Sequence, residues 1–118
     1  MAHYRDLIVW NKSMDLVSEV YRCTQKFPRE ETYGLTSQLR RAAVSVPSNI
    51  AEGQGRRYRK EFVHFLRNAR GSVMEIETQI LISKRLGYLD QATSAKLLSG
   101  CDEISRLLQG LITSQERE

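Results

Sequence analysis

The sequence predicts an all-α protein, an antiparallel up-down-up-down four-helix bundle, on three observations. Apolar residues recur at alternating spacings of three and four in four separate segments, no segment alternates apolar and polar residues as a half-buried strand does, and the stretches between segments are short. Short connections place consecutive helices side by side and antiparallel. A repeat nearer the heptad than the free helical period implies left-handed, coiled-coil-like packing with crossing angles of about 20°. The 118 residues (1–118) are expected to form one domain. A chain of this size buries roughly two-thirds of the surface its unfolded form exposes, so neither disulfide nor metal is required.

The first helix, expected over residues 5–27, carries Leu7, Trp10, Met14, Val17 and Tyr21 on one face and ends at Phe27 and Pro28, because the residue before a proline avoids helical backbone. The second, over 33–53, carries Leu35, Leu39, Ala42, Val46, Asn49 and Gly53 and stops at Gly53, Gln54 and Gly55. The third, over 58–86, carries the longest stripe, Phe62, Leu66, Ala69, Val73, Ile76, Ile80 and Ser83, closed by Leu86 and by Gly87, a residue free to take the left-handed C′ conformation. The fourth, over 90–113, has Asp90 as its expected N-cap and Leu97, Cys101, Ile104, Leu108 and Leu111 as its stripe, followed by a polar tail from Thr113 to Glu118.

The second helix is the unusual one. Its apolar face carries Ala42, Ala43, Ser45, Ser48 and Asn49 where a core-filling helix carries Leu and Ile, so another backbone is expected to approach closely. Pro47 removes a backbone donor and clashes with the carbonyl of Ala43, so the helix is expected to kink or restart there, with Ser45 as a cap for the restart. Asn49 falls on the stripe, and an amide at a core position must be hydrogen-bonded or cost roughly 1 to 3 kcal/mol. Glu52, Ser48, a loop backbone group and a neighbouring subunit are its candidate partners. A core asparagine also sets register and association state in helical assemblies.

If the stripes above face inward, Ile8, Val9 and Leu16 on the first helix and Leu81 and Ile82 on the third are surplus. Scattered exposed apolar residues are ordinary in monomers. Both clusters nevertheless lie on helices already carrying full stripes, which favours self-association, with Ile8, Val9, Leu16, Leu81 and Ile82 at the interface and Pro47, Asn49 and Glu52 shaping fold and assembly.

The net charge is +4, but residues 40–70 hold eight bases against two acids, so that window carries +6 and the remainder −2. Extrapolated along the third helix, Arg56, Lys60, Arg67 and Arg70 occupy adjacent angular positions and form a ridge that can follow a phosphate backbone. Arg40, Arg41, Arg57 and Arg59 extend it, with Tyr58 and Phe65 as stacking or packing groups. The competing reading is a solvated basic face partly paired with Glu52 and Glu61. Sequence-specific base reading is not indicated.

Catalytic motifs are not expected. Glu61 and His64 match one Glu-x-x-His unit of a bundle di-iron site, but such sites need a second copy and further carboxylates, and the only other histidine is His3; no metal or other cofactor is expected, and the two side chains read as a local pair. Ser45, Ser48, Ser72, Cys23 and Cys101 lack a Gly-x-Ser-x-Gly elbow or a Cys/His signature. The Gly53 to Gly55 turn lacks the Gly-Lys-Ser/Thr of a phosphate-hydrolysing loop. Cys23 and Cys101 lie on apolar stripes and read as buried hydrophobes of a reducing compartment rather than a disulfide. The N-terminal MAHYRDLIVW has no apolar signal region and no apolar run approaches the ~20 residues of a membrane span, so a cytoplasmic protein is expected.

The runs QLRRAAVSVPSNIAEGQGRR and EFVHFLRNARGSVMEIETQILISKRLGYL, with YRDLIVWNKSMDLVSEVY before them, closely resemble the 23S rRNA intervening-sequence protein family. The resemblance spans nearly the whole chain and rests on the specific pattern S-x-P-S-N-I-A-E-G, then A-R-G-S, then E-x-E-T-Q. It implies an antiparallel four-helix bundle assembled into a homopentameric ring. A related branch, the accessory variability protein of diversity-generating retroelements, binds nucleic acid through basic surface and contacts a reverse transcriptase. By that resemblance the basic positions serve RNA or DNA, and Ser48, Asn49, Ala51, Glu52 and Gly53 serve fold and assembly. The leading expectation is a non-enzymatic, oligomeric nucleic-acid binder; the alternative is a purely structural or protein-interaction ring.

Overall fold

Four α-helices dominate a computed structural model that describes residues 3–117. After a short 3₁₀ turn at Tyr4–Asp6 come α1 (Ile8–Thr24), a second 3₁₀ turn at Arg29–Glu31, α2 (Leu35–Gln54), α3 (Arg59–Arg85) and α4 (Gln91–Arg117). Each helix packs on its neighbours in sequence, α1 closes the ring against α4, and the backbones of diagonal pairs stay apart. Side-chain pairs fix the directions. Lys12 reaches Glu103 and Glu19 reaches Lys96 between α1 and α4. Arg67 reaches Glu116 and Arg70 reaches Gln109 between α3 and α4. Ascending numbers in one helix meet descending numbers in the other, so the bundle is antiparallel.

The α3 stripe faces inward as expected, with Phe62, Leu66, Ala69, Val73, Ile76, Ile80 and Ser83 all buried. The α1 face does so only in part, with Leu7, Trp10 and Val17 half-buried against the core. Its buried residues are Val9, Ser13, Leu16, Val20 and Thr24, while Met14 and Tyr21 are exposed. The stripe is rotated because Ser13 and Thr24 are admissible in the core: each hydroxyl donates to the carbonyl four residues back, Ser13 to Val9 and Thr24 to Val20, both at 2.7 Å. Val9 and Leu16, expected as surplus interface residues, are therefore core residues. Ile8, Leu81 and Ile82 are exposed as expected.

On α4, Leu97, Cys101, Ile104 and Leu108 are buried, but Ile112 rather than Leu111 continues the stripe, and the expected polar tail is helical through Arg117. Residues 1, 2 and 118 lie outside the described residues. Asp90 accepts from the Thr93 backbone N–H at 2.7 Å, the N-cap contact the sequence suggests. Gly87 closes α3 with φ 82°.

The packing between α2 and α3 is the most extensive in the bundle, and small residues explain it. Ala42, Ala43 and Gly53 of α2 and Ala69 and Ser72 of α3 are all buried. A Cβ added at Gly53 would lie 2.7 Å from the Phe65 Cβ and 3.0 Å from Phe62 Cδ1. Pro47 is buried within an α2 that continues unbroken to Gln54, so no restart occurs and Ser45 is not a cap. Ser45 Oγ instead lies 2.9 Å from Ser72 Oγ of α3. Asn49 donates its amide N–H groups to the carbonyl and hydroxyl of Ser45, at 2.8 and 2.9 Å. Ile50 takes the core position expected for Asn49, which sits half-buried at the seam with a partner outside the expected set. Val46, Pro47, Ile50 and Gly53 make up the buried face of this half of α2, which leaves Asn49 at its edge.

Candidate functional site

The turn between α2 and α3 sets the site. Gly55 N–H returns to the Ala51 carbonyl at 3.2 Å and Arg56 N–H to Gly53 at 3.1 Å, which ends α2 tightly. The chain is extended at Tyr58, and α3 begins at Arg59. Arg56 and Arg57 thus stand in the turn, while Arg59 and Lys60 occupy the first turn of α3; all four are exposed. Bases at this position add to the positive end of the helix dipole instead of offsetting it, and Glu61 is the only acid in that turn. The end of α4 lies alongside, with Gln115 and Glu116 beside Arg59, Lys60 and Arg67.

The expected ridge is redistributed. Arg56 is not on the α3 face, because α3 starts three residues later; it pairs with Glu52 at 3.7 Å and its guanidinium sits 4.8 Å from the Phe65 ring centroid. Arg57 lies 5.4 Å from the centroid of Tyr58. Arg67 is ion-paired with Glu116, and Arg70 donates to Gln109, so both lean onto α4. Lys60 is exposed with no ion-pair partner among the described residues. Two adjoining hollows open at this end of the bundle. One, about 290 Å³, is bordered by Arg56, Arg57, Tyr58 and Phe62. The other, about 710 Å³, is bordered by Lys60, Val63, His64, Arg67 and Glu116, and Arg59 and Gln115 border both.

Arg40 and Arg41 do not extend this surface. They lie 14 and 13 residues before Gln54, the last residue of α2, roughly 20 Å of rise from the turn that carries Arg56. Arg40 is spent on the fold: its Nε donates to Thr24 Oγ1, and its Nη2 to the carbonyl of Tyr21. Arg41 is exposed beside Gln38, Ser45, Ser72 and Glu75, on the groove between α2 and α3.

The other chemical candidates fall apart in three dimensions. His64 approaches Asn68 at 3.4 Å rather than Glu61. Among the described residues no three His, Cys, Asp or Glu side chains are grouped to hold a metal. Burial pushes the Cys101 thiol up to about 12 and raises half-buried Cys23 as well, so neither is a poised thiolate. Ser45 and Ser72 are engaged with each other. No helix among the described residues is long and apolar enough to cross a membrane.

The molecule is thus an antiparallel four-helix bundle with a cationic end built from the α2–α3 turn, the start of α3 and the end of α4. The chain belongs to the 23S rRNA-intervening sequence protein family, whose model matches residues 5–110. It is similar to a protein of unknown function from the S23 ribosomal protein family of Bacteroides thetaiotaomicron, whose crystal structure superposes with a TM-score of 0.81 at 21% identity, covering 89% of this chain and 98% of that one. At that identity the likeness speaks for the fold. No curated protein matches the chain.

Proposed function

We propose that this chain is a non-enzymatic, self-associating bundle that binds RNA or DNA through phosphate contacts at its cationic end, without reading sequence. The observation that carries the proposal is the convergence of Arg56, Arg57, Arg59, Lys60 and Arg67 on one end of the bundle, with Lys60 exposed and unpaired among the described residues. Glu52 and Glu116 hold Arg56 and Arg67 only through exposed ion pairs, which contribute about 1 kcal/mol or less and yield readily to a phosphate.

A titration of labelled RNA and DNA against salt tests it. With about four phosphate contacts, raising salt from ~50 to ~200 mM weakens binding about a hundredfold. Combining Arg56→Glu, Lys60→Glu, Arg67→Glu and Arg70→Glu abolishes it while helix content stays. Absence of binding at ~50 mM salt overturns the nucleic-acid role.

A second reading, a scaffold ring without nucleic acid, draws on the exposed apolar residues Ile8, Met74, Leu81, Ile82 and Leu86, of which Ile8 is 67% exposed. Both readings require self-association, so light scattering that returns a single-chain mass at tens of micromolar removes both.

A further inference from the structure

We infer that the cationic end selects single-stranded over double-stranded nucleic acid, with Tyr58 as a stacking platform for an unpaired base. The inference rests on the nucleic-acid reading above and names the form of nucleic acid that the site takes.

Three features carry it. First, the surface is concave. Two open hollows share Arg59 and Gln115 on their rims, one of about 290 Å³ and a shallower one of about 710 Å³. A duplex keeps its bases inside and offers such hollows only sugar and phosphate, whereas a single strand inserts a base and follows with the next phosphate.

Second, an aromatic ring is available where the phosphate-binding groups are. Tyr58 is 60% exposed and borders the smaller hollow. Arg57 lies over one face of the ring, 5.4 Å from its centroid, so a base stacked on the other face has a guanidinium across the ring from it. The other aromatic residues of this region are withdrawn by burial: Phe62 is 9% exposed, and half-buried Phe65 backs onto Gly53 through its Cβ. Aromatic faces beside cations are how single-strand binders gain affinity without reading sequence, since every base has a π-face.

Third, the cations follow a path rather than a plane. Arg57 borders the smaller hollow, Lys60 and Arg67 the larger and Arg59 both, with His64 and the acid Glu116 also on the larger rim. Successive phosphates of a flexible strand can occupy this path. A peptide of acidic residues alone has the charge but no aromatic ring to stack on Tyr58.

The test uses the full chain and three probes at ~50 mM salt: a labelled oligothymidylate of ~12 nucleotides, within single-strand site sizes, a duplex of equal length, and an oligoglutamate of equal charge. The single strand is expected to bind at least about tenfold more tightly than either competitor. Tyr58→Ala lowers single-strand affinity about tenfold, leaves duplex affinity unchanged, and Tyr58→Phe restores wild-type behaviour. Circular dichroism of each variant confirms the helical fold. Equal affinity for single strand and duplex, with Tyr58→Ala silent or lowering both alike, overturns the inference and leaves the nucleic-acid reading standing. Oligoglutamate binding as tightly as oligothymidylate, or no oligonucleotide binding at all, overturns both.

Discussion

Arg40 of α2 donates its Nε–H to the Oγ1 of Thr24, 2.8 Å away at the last residue of α1. The same guanidinium reaches the Tyr21 carbonyl at 3.3 Å and lies 4.5 Å from the Tyr21 ring centroid. Tyr21 contributes one of the four C-terminal carbonyls that a helix cannot satisfy internally. Arg40 therefore closes α1 from the neighbouring helix, which is why a base that reads as part of a phosphate-binding surface is instead a structural fastener.

Arg40→Ala is expected to lower stability by about 1 to 2 kcal/mol, because a charge-assisted contact to a helix end is lost. Arg40→Lys recovers only part of it, since a single ammonium cannot reproduce the guanidinium fork. Urea denaturation measures the loss. Nucleic-acid affinity is expected to stay unchanged, which separates Arg40 from Arg57, Lys60 and Arg67.

Two glycines should respond in opposite directions to alanine. Gly53→Ala places a methyl 2.7 Å from the Phe65 Cβ, so α2 and α3 must separate, at a cost of about 1 to 3 kcal/mol. Gly110→Ala, on α4 with nothing within 4 Å of the new methyl, is expected to stabilise by about 0.5 to 1 kcal/mol through helix propensity alone. Thermal melts of the two variants check the contrast.

Glu116 competes with phosphate for Arg67. Glu116→Gln removes the competing charge, so affinity for an oligonucleotide is expected to rise severalfold and the salt slope to steepen by about one phosphate contact. A salt titration that leaves slope and affinity unchanged shows that Arg67 takes no part in binding.

Acid should weaken the fold through Asp90 and Glu19. The hydrogen bonds from Thr93 hold the Asp90 carboxyl below its ordinary value, and the hydrogen bond from Arg22 does the same for Glu19. A carboxyl depressed in the folded state stabilises above its unfolded pKa, and the contribution is lost as pH falls through the folded value. Denaturation midpoints are expected to fall as pH drops below about 4, with a shallower fall in Asp90→Asn, which keeps a capping oxygen but does not titrate.

Much of the fold was legible. The α3 stripe, the Asp90 cap, the Gly87 terminus and the close approach at Ala42 to Gly53 follow from residue size and spacing that act within a turn or two of chain. The α1 face is legible only in part, for an identifiable reason: Ser13 and Thr24 score as polar, yet each satisfies its hydroxyl within its own helix and enters the core, turning Met14 and Tyr21 outward and drawing Val9 and Leu16 in. The site was legible in composition but not in shape. Arg56 has the spacing of an α3 residue, but α3 begins only at Arg59.

By itself the sequence determined the number of helices, their order, the antiparallel connection and the clustering of bases around the α2–α3 turn. These depend on periodicity, short connectors and local charge, all carried by neighbouring residues. Only the tertiary structure decided which face of α1 is buried, that Asn49 finds Ser45, that Arg40 fastens α1, and that Arg57, Lys60 and Arg67 border two hollows with Tyr58 exposed between cations. Those outcomes depend on which side chains meet across helices, where a rotation of one helix by one residue changes every partner.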